Sequence, residues 1–177
     1  MEELLDYVFG ALEARGIDYM LSGSVAMNIY TVPRFTRDAD IVIELREENF
    51  TSFSEIFANR ANYFHPESAV VEVRRKGMFN VIDWTSGFKI DFIVKRNEAF
   101  QEAEFQRRQR RVVLGRVKGW VISVEDLILA KLIWIQDLQS GQQITDIQSL
   151  IEDNPQIDRD YVKQWIEILS LKTFNVI

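Results

Sequence analysis

Two carboxylates stand two residues apart where a β-branched run begins: Asp38 and Asp40 lead into Ile41-Val42-Ile43. Along a strand alternate side chains share a face, and two residues advance the chain by roughly 6.5–7 Å. Asp38 and Asp40 therefore point the same way, with Ala39, Ile41 and Ile43 directed to a core. Neighbouring acids repel each other unless a cation or a proton lies between them. Hard oxygen ligands on a rigid strand suit Mg2+, which takes one or two carboxylates and completes its shell with water and substrate phosphates. A third acid lies in Phe88-Lys89-Ile90-Asp91-Phe92-Ile93-Val94. Phe88, Ile90, Phe92 and Val94 alternate there, so Asp91 shares the opposite face with Lys89 and Ile93. If this strand pairs beside the first, about 4.8 Å away, Asp91 completes a triad.

The residues just before the acids are suited to phosphate. An apolar run, Tyr19-Met20-Leu21, ends in Gly23-Ser24, and a short helical segment follows over residues 25–30 until Pro33 breaks it. Glycine allows close approach of a ligand to the backbone. Ser24 suits a helix cap, and its hydroxyl with the free N–H groups behind it suits a phosphate. No GxxxxGK[ST] is present, so a P-loop is excluded. Arg34 and Arg37 flank the acids. Their guanidinium forks fit phosphate oxygens, or else salt bridges to the same aspartates.

The elements that must hold these residues follow from periodicity. Helices are expected over residues 1–15, 47–60, 66–75, 97–108, 144–152 and 158–171. The stripe Phe50, Phe53, Phe57 belongs to the core, and Pro66 suits a first helical turn. Strands are expected over residues 17–21, 38–45, 79–84 and 88–94, the last two joined by Thr85-Ser86-Gly87. A second hairpin is expected from residues 111–116 and 119–123, turning through Val117-Lys118-Gly119. The clearest helix starts at Ser123 as a cap, runs through Leu127, Leu129, Ala130, Ile133, Trp134 and Leu138, and ends at Gly141. This pattern predicts an α+β fold: a mixed β-sheet covered on one side by helices, with a helical C-terminal part. Asn154-Pro155 is the one boundary, dividing a body of residues 1–153 from a terminal helix, 154–177, packed on it.

Composition bounds the function. The 177 residues are nearly half apolar, enough for a sizeable core. No run approaches the ~20 apolar residues of a membrane span. The start, Met-Glu-Glu-Leu-Leu-Asp, is acidic and argues against a secretory signal, so a cytoplasmic location is expected. With no cysteine, thiol catalysis, disulfides and zinc–thiolate clusters are excluded; with His65 alone, so is any two-histidine metal site. The net charge of −6 disfavours general nucleic-acid binding. Residues 74–118, however, hold 12 Lys/Arg against 5 Asp/Glu. The densest run, Arg107-Arg108-Gln109-Arg110-Arg111, reads as a solvated helix end or as a guide for a polyanion. Trp84, Trp120, Trp134 and Trp165 are core residues or adenine-stacking candidates.

Gly-Ser, a short helix, Asp-x-Asp on a strand and a lone Asp on a later strand, in that order, resemble the nucleotidyltransferase fold of the DNA polymerase β superfamily. Pro33-Arg34-Phe35-Thr36-Arg37-Asp38-Ala39-Asp40 resembles most the small bacterial members related to AbiEii-type toxin nucleotidyltransferases. The resemblance covers residues 1–150. It implies that Asp38, Asp40 and Asp91 are catalytic, binding the Mg2+ that escorts the phosphates of an NTP such as ATP. Gly23, Ser24, Arg34 and Lys131 would bind the nucleotide. Lys131 lies in a stretch like the family's Glu-Asp-Leu helix; otherwise it snorkels to the surface. Asp146 resembles a family acid, but Gln142 and Gln143 stand where relatives carry an Arg, so a helix cap is expected for it. The implied acceptor is an RNA end, a protein side chain or a small molecule. The alternative is a non-catalytic nucleotide- or partner-binding module, for example in a toxin–antitoxin pair.

Overall fold

The computed structural model describes residues 1–60, 62–136 and 140–177. Its centre is a seven-stranded mixed sheet. The strands are β1 (Tyr19–Ser22), β2 (Asp38–Ile43), β3 (Asn62–Tyr63), β4 (Met78–Asp83), β5 (Lys89–Val94), β6 (Gln109–Leu114) and β7 (Val117–Val121). They lie in the order β3-β4-β5-β2-β1-β7-β6. The helices are α1 (Glu2–Ala14), α2 (Gly23–Met27), α3 (Glu47–Ser54), α4 (Pro66–Arg74), α5 (Ala99–Gln106), α6 (Val124–Trp134), α7 (Gly141–Asp153) and α8 (Arg159–Ile168). The predicted α+β architecture is the one observed.

Alternation along the strands decides which face is dry. Tyr19 and Leu21 of β1 oppose Ile43 and Ile41 of β2, and Ile90, Phe92 and Val94 of β5 continue that face. On it Phe9 of α1 stacks over Tyr19 with ring centroids 4.8 Å apart. Phe53 of α3 meets Phe57, Phe79 and Phe92 at centroid distances of 5.5, 5.5 and 5.1 Å. Burying each such ring contributes about 1.5–3 kcal/mol, so this aromatic cluster fixes the strand register. The second face is not bare, as a sheet covered on one side would be. All four residues of β1 are buried, while on β2 Asp38 and Asp40 are only partly covered. The opening in the cover coincides with the acids.

Several local expectations shift. The turn of the β6–β7 hairpin is Gly115-Arg116, not Val117-Lys118-Gly119. Gly115 adopts φ +54°, a region that favours glycine, whereas Gly119 lies within β7 and gives room to the Phe9 ring. The helix expected over residues 47–60 is regular only to Ser54, and a short edge strand, β3, follows. Gly141 opens α7 instead of closing α6, which ends at Trp134. Leu138, expected on α6, lies outside the described residues. Ser123 is the α6 cap as predicted, its hydroxyl accepting from the Asp126 N–H at 3.2 Å.

Candidate functional site

Register brings the acids together. β2 and β5 run parallel, with Asp40 opposite Asp91 and Asp38 opposite Lys89. Ser22 on β1 is the partner of Asp40, and Asn80 on β4 is the partner of Asp91. One cross-strand row therefore reads Ser22, Asp40, Asp91, Asn80, four polar side chains at about 4.8 Å spacing on the less covered face. Ser22 and Asn80 were not expected here. Asn80 is a polar residue between Phe79 and Val81, and that alternation is the signal that marks its face.

The backbone fits closely around this row. Gly23 has φ +62°, and a Cβ placed on it would lie 1.8 Å from Asp40 Oδ2. The Asp40 carboxylate thus rests against the Gly23 backbone, at the start of α2. Asp38 is held by Thr36, whose buried hydroxyl donates to Asp38 Oδ1 at 2.8 Å. Asn28 brackets the Arg34 peptide, donating to its carbonyl at 2.9 Å and accepting from its N–H at 3.0 Å. That pair of bonds sets the path of the loop between α2 and β2.

The crowding of carboxylates shows in Asp40. Burial, then the charges of Asp38 and Asp91, push the Asp40 pKa up to about 6. Lys89 answers part of this repulsion. Its ammonium lies 2.6 Å from Asp91 Oδ2 and 3.9 Å from Asp38 Oδ2, and the hydrogen bond to Asp91 raises its own pKa. Among the described residues no three acidic side chains already converge on one point. An octahedral Mg2+ needs only one or two carboxylates, with water and phosphate completing its shell. The oxygen-only donor set and the cation already drawn between Asp91 and Asp38 fit such an ion.

A second cluster adjoins the first through Ser24. Ser24 is not the cap of α2; Ser22 occupies that position and makes no side-chain cap bond. Instead Ser24 Oγ accepts from Arg34 Nη2 at 3.1 Å. The same Arg34 nitrogen lies 3.0 Å from Asp146 Oδ2, so Arg34 pairs with neither Asp38 nor Asp40. Lys131 does not snorkel. It is buried on α6 and donates to Asp146 Oδ2 at 2.8 Å and to Gln143 Oε1 at 2.9 Å. Gln142 donates to Asp146 Oδ1 at 2.8 Å. Asp146 is thus no helix cap: it sits inside α7, buried, as the anion on which Lys131 and Arg34 converge. Burial works to raise its pKa, but the bonds from Lys131 and Gln142 and the nearby positive charges outweigh this and hold it below the usual carboxylate value. Gln142 and Gln143, the pair that departs from the expected arginine, complete the shell.

Other candidates fall elsewhere. The arginine run spans the end of α5 and the start of β6, and acids meet most of it. Arg107 bonds Asp126 at 3.0 Å, Arg108 bonds Asp18 at 3.0 Å, and Arg110 pairs with Glu13. The run is exposed apart from the half-buried Arg108, as a solvated helix end is, and at that surface its arginines tie α5 and β6 to acids of other elements. His65 is exposed at the start of α4, its ring edge-on to Tyr63. Trp165 packs on Phe100 in the C-terminal part, and Trp84 and Trp134 are exposed.

No protein-family model matches the chain, and no curated protein matches it. Solved structures do. The antibiotic-resistance factor ANT(2'')-Ia in solution aligns over 96% of this chain and 97% of its own at 13% identity, TM-score 0.51. ANT(2'')-Ia in complex with adenylyl-2''-tobramycin aligns over 91% of each chain at 14% identity, TM-score 0.52. An antigenic nucleotidyltransferase-like protein from Paracoccidioides brasiliensis aligns over 87% of this chain and 75% of its own at 16% identity, TM-score 0.51. The chain has the nucleotidyltransferase fold. No helix among the described residues is long and apolar enough to cross a membrane.

Proposed function

We propose that this protein is a Mg2+-dependent nucleotidyltransferase that moves a nucleoside monophosphate from an NTP to an acceptor hydroxyl. The observation that carries the reading is the register of Asp40 with Asp91, beside Asp38 and against the Gly23 backbone. The fold alone would not license a function.

Asp38, Asp40 and Asp91 are the residues that would hold the metal. When bound, Mg2+ supplies charge stabilisation to the attacking and leaving oxygens of an in-line displacement. Gly23 and Ser24 would face the triphosphate at the start of α2, and Arg34 and Lys131 would supply its positive charge once drawn from Asp146. Asp91 accepts the proton of the acceptor hydroxyl. The new bond joins the acceptor oxygen to the α-phosphorus, the α–β bridging bond breaks, and pyrophosphate leaves. The acceptor classes that fit are an RNA end, a protein side chain or a small molecule. The complex of ANT(2'')-Ia with an adenylylated antibiotic gives the small-molecule class support within the fold.

One observation favours a second reading, a binding module of the same fold, such as one partner of a toxin–antitoxin pair. Arg34 and Lys131 are both already paired with Asp146, which leaves less positive charge for a triphosphate. Incubation with α-labelled NTPs and Mg2+, against RNA, a protein lysate and small hydroxylated acceptors, separates the two. Label transferred by the wild type and not by Asp40→Ala supports the transferase. Mg·NTP binding without transfer to any acceptor supports the module, and a folded protein that does neither overturns both.

A further inference from the structure

Lys89 holds a position that the proposed chemistry leaves unused. It starts β5, two residues before Asp91 and directly opposite Asp38, so its side chain shares the face of all three acids. Its ammonium contacts Asp91 at 2.6 Å and Asp38 at 3.9 Å. An ammonium placed between two carboxylates sits where a divalent ion would draw the same oxygens together. Both cations cannot keep those contacts, because like charges at ångström range repel strongly in a partly desolvated site. The side chain is also 37% exposed, so it has water to swing into when displaced.

We infer that Lys89 is a resident counter-cation of the acid cluster. It neutralises Asp38 and Asp91 before metal arrives, must be displaced for metal to enter, and so sets the threshold of divalent-ion affinity. The inference rests on the proposed metal site and adds to it a residue whose role is competition. Lys89 keeps three neighbouring carboxylates compatible with a folded sheet while the ion is absent, and it makes ion binding weak until an NTP brings its own phosphate ligands. Metal and nucleotide then bind together more readily than either does alone. The freed ammonium remains tethered at the mouth of the site, within reach of phosphate oxygens.

The test is Mn2+ binding to the 177-residue chain, followed by calorimetry without nucleotide, for wild type, Lys89→Met and Lys89→Arg. Lys89→Met retains the stem and loses the charge, and Lys89→Arg retains the charge. The expected result is that Lys89→Met binds Mn2+ at least tenfold more tightly than wild type, while Lys89→Arg stays within about threefold of wild type. Lys89→Met is also expected to melt lower in EDTA and to regain its Tm with Mn2+. Equal Mn2+ affinities in all three chains would overturn the inference and leave the metal site standing. If no chain binds Mn2+ even with a non-hydrolysable NTP analogue, the metal site fails and the inference with it. Should Lys89→Met be unfolded in EDTA, recovery of the fold on adding Mn2+ supports the inference, and no recovery overturns it.

Discussion

The Lys131 ammonium lies 2.8 Å from Asp146 Oδ2, and both side chains are almost fully buried, at 6% and 2% exposure. A buried ion pair whose partner is removed leaves an uncompensated charge, which costs about 3–5 kcal/mol. Asp146→Ala is therefore expected to lower stability by that order in chemical denaturation. Lys131→Met combined with Asp146→Leu is expected to restore most of the loss, because it removes both charges. The double variant is also expected to bind NTP at least tenfold more weakly than wild type. Restored nucleotide affinity in that variant would show that the pair serves the fold alone.

If Asp40 holds the proposed metal, it is expected to couple metal, pH and stability. Its pKa, raised to about 6, means that the folded chain favours the neutral acid more than the unfolded chain does. Its contribution is fully present below the unfolded value near 3.8 and is lost as pH rises through about 6. Asp40→Asn should accordingly raise Tm in EDTA at pH 8 and leave it nearly unchanged at pH 4, while abolishing transfer. Because metal ligands must be deprotonated, Mn2+ affinity of the wild type is expected to fall steeply below about pH 6. An affinity flat from pH 5 to 8 would separate Asp40 from the metal.

Glu104 on α5 gives a control remote from the acids. Burial, then the charge of Asp126, push its pKa up to about 8. The sign is the same: its contribution is present below about 4.5 and shrinks as pH climbs to about 8. Glu104→Gln should be more stable than wild type at pH 8.5, by a few kcal/mol at roughly 1.4 kcal/mol per unit of pKa difference, with the gap narrowing toward pH 5. Urea titrations at the two pH values measure it, and a gap independent of pH would place a charged Glu104 in the fold.

Gly23→Ala tests the close approach of backbone and carboxylate. A left-handed φ costs a non-glycine residue about 1–2 kcal/mol. The added methyl would also meet Asp40 Oδ2 at 1.8 Å and push the carboxylate aside. Displacing a reacting group by about 1 Å can cost on the order of a hundredfold in rate. Label-transfer assays are expected to show a loss of that size, with a Tm drop of only a few degrees. Transfer at the wild-type rate would mean that Asp40 has no fixed place in the chemistry.

What the sequence made legible was set by short-range periodicity. Asp38, Asp40 and Asp91 could be assigned to one face because strands have a strict period of two, and the observed register agrees. Ser123 was recognisable as a cap because its partner, Asp126, is three residues away. The missed features depend on distant partners. Asp146 reads as a cap until Lys131 and Arg34, on other elements, are brought to it. The arginine run is mostly exposed, as it reads, but its pairings with Asp18, Glu13 and Asp126 come from residues far away in the chain. The β6–β7 turn was misplaced for a subtler reason: Gly115 and Gly119 both suggest a bend, and only packing against Phe9 shows that Gly119 is a spacer within a strand.

The parallel pairing of β2 with β5 also governs when the site comes into existence. Parallel neighbours cannot be joined by a tight turn, and here the chain passes through α3, β3, α4 and β4 before returning. Such non-local pairing forms late, since the loop-closure entropy must be met before the contacts form. A nascent chain thus carries Asp38 and Asp40 without their cross-strand neighbour Asp91 until β5 has emerged and docked. Amides of β2 and β5 are then expected to exchange with solvent as one unit, the acid centre opening and closing with the middle of the sheet.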